Sequence, residues 1–252
     1  MSHKTLISGT AYEVVGGAQM IDGTKFQMGG GKTLVGGTAF DVPFAKGIPL
    51  STITPGAILY LNESGSPVPF YIAKHDYESG LNGAGRTLVV RKDCYDKRGF
   101  GSKNRYDNSS LDTWLCGTYF GLLDTNVQNM IGSTKFYYSP GGGNFMLSTL
   151  QKPVFQLSAT ELGKSASWAN VEGEALPIAS TLQIAYLNGS AVEQWTRSPY
   201  TAGYDSEVCT VKANGTIYVE SVSSGCGSRP AFTLPATLAV TPNADGTYTL
   251  AA

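Results

Sequence analysis

"WTRSPYTAGYDSEVCTVKANGTIYVESVSSGCGSRPAF" runs from Trp195 to Phe232. Its middle, Glu207–Val222, sets β-branched and aromatic residues on both sides of Asn214-Gly215. Asn-Gly favours the positive φ angles of a tight turn, so this stretch reads as a β-hairpin. "WTRSPY" opens the β segment and "RPAFTLP" (Arg229–Pro235) reads as a further strand. Between these pieces lie Tyr200–Ser206 and Glu220–Gly227, rich in Gly, Ser and Tyr, with the composition of loops. Both loops flank one hairpin, so they are expected side by side at one end of a sheet.

Working upstream, "ILYLNESGSPVPFYIAKHDY" (Ile58–Tyr77) reads as strand, turn, strand, and "TLVVRKDCY" (Thr87–Tyr95) as a strand after a turn at Asn82–Gly85. The period then changes. Leu111, Trp114, Leu115 and Phe120 recur at helical spacing with Ser109 or Ser110 as N-cap, and Val127, Met130 and Ile131 share a face behind Asp124 or Thr125. In "VFQLSATELG" (Val154–Gly163), Ser158 and Glu161 have capping-box spacing and predict a third helix. "SPGGGN" (Ser139–Asn144) is a loop, and Asp245-Gly246 marks a last small hairpin. Strands around two or three short helices define an α+β class.

The front of the chain is different. "KTLISGTAYEVVGG" (Lys4–Gly17) returns as "AQMIDGTKFQMGGG" (Ala18–Gly31) and as "KTLVGGTAFDVPFA" (Lys32–Ala45), without a gap. Leu6, Met20 and Leu34 share a column, as do Tyr12, Phe26 and Phe40. Each copy reads as two strands around Ser8-Gly9, Asp22-Gly23 or Gly36-Gly37, and paired glycines (Gly16-Gly17, Gly30-Gly31) lead into the next copy. So thin a ribbon buries little apolar area alone and leaves strand edges unpaired. Residues 1–45 are therefore expected to attach or oligomerise the molecule, with a homotrimer as the expected assembly. The competing reading is an N-terminal meander packed on its own domain. Residues 46–252 form the second domain.

Composition excludes several classes. The net charge is −1 over 252 residues, which gives no electrostatic capture of nucleic acid or anionic membrane. No stretch has the length of a membrane span, and no basic-then-apolar signal pattern opens the sequence. Work outside a cell would then require release by lysis or by a dedicated machine. "GGGKT" (Gly29–Thr33) lacks the upstream glycine of a phosphate-binding loop, because Phe26 stands there. The cysteines, Cys94, Cys116, Cys209 and Cys226, form no C-x-x-C pair, and only His3 and His75 could join them, so no metal site is expected. Asp93, Asp96, Asp107 and Asp112 lack calcium-loop spacing. One histidine in the globular part leaves nucleophilic triads unsupplied. The expectation is a non-enzyme without cofactor.

The candidate binding residues lie on the loops: Tyr200, Thr201, Tyr204, Asp205 and Ser206 on one, Ser221, Ser223 and Ser224 on the other, with Tyr138 and Asn144 extending the surface. Tyr faces stack on sugars or proteins, and Asp and Ser fix hydroxyls. Trp195, Arg197 and Arg229 read as structural: Trp195 in the core, the two guanidiniums tying strand ends to carboxylates or carbonyls.

The "TLVVRKDCY" strand, the S-x-L-x-x-W-L helix, "VFQLSATELG", "WTRSPY", the Asn-Gly hairpin and "SRPAF" together resemble a domain family of tailed phages and prophages of Gram-positive hosts, with patterns W-[WL]-R-S-P and G-[VF]-R-P-A. Thr196 and Ser228 depart from it, standing where apolar residues are usual. More distantly the domain is similar to the C-type-lectin-like fold of formylglycine-generating enzymes. The resemblance implies a virion protein of the tail tip or fibre. Residues 1–45 would join it to other virion proteins, and a C-type-lectin-like scaffold would display loops to a host cell-surface protein or glycan. A purely structural virion role and a lectin outside any virion are the alternatives.

Overall fold

The computed structural model describes residues 47–251 in full and, of the first 46, the main chain of six short strands. The chain divides into two compact units, Met1–Ile48 and Pro49–Leu250. In the first, each repeat copy forms one antiparallel pair: Lys4–Ile7 with Thr10–Glu13, Ala18–Ile21 with Thr24–Gln27, and Lys32–Val35 with Thr38–Asp41. The register is the same in all three, which is what a gapless repeat dictates. The glycine-containing turns and links read from the sequence lie outside the described residues.

The second unit is α+β and mostly sheet. Besides a small separate pair, Ala185–Leu187 with Ser190–Val192, its strands in chain order are β1 (Ile58–Glu63), β2 (Ser66–His75), β3 (Arg86–Arg91), β4 (Asp96–Arg98), β5 (Thr134–Tyr138), β6 (Ser148–Lys152) and β7 (Val154–Phe155). After them come β8 (Gln194–Pro199), β9 (Glu207–Val211), β10 (Ile217–Ser221), β11 (Cys226–Ser228), β12 (Ala231–Pro235), β13 (Ala239–Pro242) and β14 (Tyr248–Leu250). One eight-stranded sheet runs β7-β12-β3-β2-β1-β14-β13 and ends on the short strand that closes at Pro49. A five-stranded sheet runs β4-β11-β8-β9-β10. β5 and β6 pair separately.

Local chemistry explains the pieces. Ser64 and Gly65 both have positive φ (53° and 75°), the geometry a two-residue hairpin needs between β1 and β2. β3 is central, so Thr87–Val90 are all buried rather than alternating. The Asn214-Gly215 turn closes β9 on β10, with Gly215 at φ 81°. Ser109 caps helix α1 (Ser110–Trp114), its Oγ accepting from Asp112 N–H at 3.0 Å. The helix continues through a π-helical turn, Leu115–Tyr119, to Leu122. Leu111, Leu115 and Tyr119 form its buried face. Helix α2 spans Thr125–Met130. Asp124 sits at its N-cap position, but its carboxylate accepts from Asn62 instead.

The expected third helix is not there. Both capping-box bonds form, Glu161 N–H to Ser158 Oγ at 3.0 Å and Ser158 N–H to Glu161 Oε2 at 2.9 Å. The chain nonetheless makes only a turn and leaves it at Gly163, whose φ is 68°. A left-handed glycine ends a helix, and here it acts after one turn. Glu161 is held instead by distant partners in the core.

Candidate functional site

The two motif arginines are fully buried, and they are held in different ways. Arg197, on β8, makes a two-pronged pair with Glu161: Nη1 to Oε2 at 2.6 Å and Nη2 to Oε1 at 3.0 Å. It also donates to the carbonyls of Tyr137 and Gln156. Tyr77 donates its hydroxyl to Glu161 Oε1 at 2.5 Å. Burial is the largest single influence on Arg197 and opposes its charge, but Glu161, Tyr77 and Glu172 together outweigh it and raise the guanidinium above its ordinary pKa. Arg229 has no carboxylate. It donates to the carbonyls of Arg91, Lys92 and Leu182, and burial lowers its pKa.

Gln156 links the two. Its Nε2 donates to Trp195 O at 2.7 Å, its Oε1 accepts from Arg229 N–H at 3.2 Å, and its carbonyl accepts from Arg197. Three pieces far apart in sequence, "VFQLS", "WTRSP" and "SRPAF", thus meet at one buried amide. Trp195 lies in the core against Phe100, ring centroids 5.5 Å apart, and donates its indole N–H to Arg98 O. Thr196 finds an acceptor for its hydroxyl in Cys209 O at 2.7 Å, whereas the buried Ser228 hydroxyl has no partner.

The arginine frame carries the loops at one end of the five-stranded sheet. Val222 N–H donates to Ser206 O, and Glu207 pairs with Ser221, so the two candidate loops are neighbours. Asn104 joins them to the glycine loop. Its Nδ2 donates to Tyr200 O (3.2 Å) and Tyr204 O (3.1 Å), its own N–H to Asp205 O, and its Oδ1 accepts from Gly142 N–H. A side-chain carbon at Gly141 would lie 2.2 Å from Asn104 O, so only glycine permits this approach. Tyr204 is 65% exposed on the loop so pinned. Asp205 is exposed and pairs with Lys103 at 2.8 Å. Ser206, Ser221, Ser223 and Asn144 are exposed, and Tyr200, Thr201 and Ser224 half-buried. Tyr138 corrects the expectation: it is buried, only 7% exposed, and offers no face to a ligand.

Residues not singled out from sequence extend the surface. Thr201 N–H donates to Trp168 O, and Trp168 packs on Tyr200. Asn170 donates to the Phe145 carbonyl, and the side chains next in sequence to each, Val171 and Met146, are largely exposed. The signal for Asn104 was available in "GFGSKNRYDNSS" (Gly99–Ser110), a Gly/Asn/Ser-rich stretch of loop composition.

Cys94, Cys116, Cys209 and Cys226 are all free thiols. Burial pushes the Cys94 thiol to about 11 and Cys226 to about 12, far from the depressed values of reactive thiols. His75 is held between Thr87 Oγ1 and Ile53 O. Among the described residues, no group of three His, Cys, Asp or Glu side chains could hold a metal ion, and no helix is long and apolar enough to cross a membrane.

A family model described as Domain of unknown function (DUF6273) matches residues 84–236. No curated protein and no solved structure matches the chain. The matched span is more than half of the sequence and holds both arginine motifs, Gln156, Asn104 and the loops they support: the chain belongs to the DUF6273 family.

Proposed function

We propose that this chain is a phage virion protein of the tail tip or fibre, and that it adheres to a host cell surface through its 200–206 and 221–224 loops. The observation that carries this reading is Tyr204: an aromatic side chain 65% exposed, on a loop fixed at both ends to a buried asparagine. A rigid, exposed tyrosine gives contact area at small entropic cost. Lys103, Asp205 and Ser206 around it provide polar contacts to a protein or glycan. The scaffold is C-type-lectin-like in this proposal. No covalent chemistry is involved, and several copies engaging together make weak contacts strong.

The test is binding of the labelled full chain to Gram-positive host cells, beside the Tyr204→Ala variant. The expected result is loss of about tenfold or more in apparent affinity, with thermal stability changed by less than about 0.5 kcal/mol. Equal binding by both proteins would remove the loop assignment. No binding by the parent protein would favour a purely structural virion role.

A further inference from the structure

β10 forms the outer edge of the five-stranded sheet, and the hairpin fixes which way its main-chain groups point. Lys212 N–H donates to Thr216 O and Val222 N–H to Ser206 O, both at 2.8 Å, and the register between them pairs Val211 with Ile217 through to Glu207 with Ser221. Antiparallel pairs alternate between bonded and non-bonded. Tyr218 and Glu220 therefore direct their N–H and C=O toward β9, while Ile217, Val219 and Ser221 direct theirs outward, where the Ser221 carbonyl accepts from Ser224 N–H at 2.8 Å. Among the described residues, the N–H groups of Ile217, Val219 and Ser221 have no acceptor. Natural edges are blunted by proline, lysine or a bulge. The strand "IYVES" contains no proline or lysine, and its register is unbroken.

We propose that a second copy of this chain adds to β10, antiparallel, about a two-fold axis through Val219. Such an axis sets Val219 against its own counterpart as a bonded pair. It also sets Ile217 against Ser221 and Tyr218 against Glu220 of the second copy. Bonded and non-bonded positions then fall in phase: Val219 and Ser221 N–H gain the carbonyls of Val219 and Ile217 of the second copy, while Ile217 N–H shares the Ser221 carbonyl with Ser224 N–H. The charges agree with this register. Lys212 Nζ lies 3.3 Å over the Tyr218 ring, so its ammonium comes beside Glu220 of the second copy, and symmetry repeats the contact. Within one copy Lys212 has no ion pair among the described residues. Tyr218, 47% exposed, becomes covered. The two five-stranded sheets become one continuous sheet.

The experiment measures the molar mass of the full chain by light scattering, with Val219→Pro, Lys212→Glu, Glu220→Lys and the double charge exchange. Proline is tolerated at an edge position whose N–H faces out, so Val219→Pro removes the pairing donor and leaves the β9–β10 ladder intact. The expected result is an even-numbered assembly whose mass halves in Val219→Pro with unchanged circular dichroism. Each single charge reversal weakens the association about tenfold, and the double exchange restores it. A wild-type mass corresponding to an odd number of copies, an unaltered mass in a folded Val219→Pro, or a double exchange no better than the singles would overturn the proposal. If Val219→Pro loses its circular dichroism signal, the charge exchange decides.

Discussion

Arg197 and Arg229 are the same residue, equally buried, in two motifs of one domain, yet their surroundings differ. The Arg197 side holds Glu161 at bonding distance and Glu172 nearby, with Tyr77 and Ser198 on their oxygens. The Arg229 guanidinium hydrogen-bonds only to main-chain carbonyls, with Asp93 nearby but not bonded to it. A carboxylate compensates the charge in the first place. Three carbonyl dipoles from two separate segments, Arg91–Lys92 and Leu182, solvate it in the second. The difference teaches that one kind of side chain can serve either as an electrostatic centre or as a cross-brace, and the two uses fail differently.

The comparison breaks hardest at Arg197. Replacing it with Ala leaves Glu161 buried without a cation, and a loss of about 3–5 kcal/mol is expected in urea unfolding. Arg229→Met removes no ionic partner and keeps much of the volume. Its expected loss is about 1–3 kcal/mol, from carbonyls left unmatched. Equal losses in the two variants would erase the distinction drawn between the sites.

A pH series sharpens it. Burial raises the Glu172 carboxyl above its ordinary value of 4.5. The folded state therefore holds that proton more tightly than the unfolded chain. The stability this group contributes is fully present below pH 4.5 and is lost as pH rises through the raised value. Glu172→Gln is expected to flatten that part of the urea-midpoint profile, while Arg229→Met leaves its slope unchanged. The smallest effect concerns Ser228, beside Arg229 in sequence. Its hydroxyl is buried without a partner, so Ser228→Ala is expected to raise stability by about 1 kcal/mol in thermal unfolding.

The elements with local signals were legible in the sequence. Asn214-Gly215, Asp245-Gly246 and the Ser109 cap all sit where their chemistry placed them. The 200–206 and 220–227 stretches do meet, because a hairpin of known turn fixes its own ends, but the second is loop only over Val222–Gly225: Glu220 and Ser221 end β10, and Cys226 and Gly227 begin β11. What failed depended on partners remote in the chain. Ser158 and Glu161 satisfied the local rule for a helix start, but Glu161 also answers to Arg197 and Tyr77, 36 and 84 residues away. Tyr138 had the composition of a surface loop, yet its strand pairs with Ser148–Lys152 and turns it inward. Gln156 was invisible for the same reason, and the loop composition around Asn104 marked its stretch but not its role: an amide announces nothing until the segments it bonds are brought together.

Asn104 has one more consequence. It grips the 200–206 segment solely by the carbonyls of Tyr200, Tyr204 and Asp205. Peptide carbonyls are the one feature every amino acid supplies alike. Most residues can therefore be exchanged at these positions while the anchor stays blind to the exchange. Such a clamp separates evolvability from architecture: the outer chemistry can drift toward a new target while the chassis beneath pays no attention.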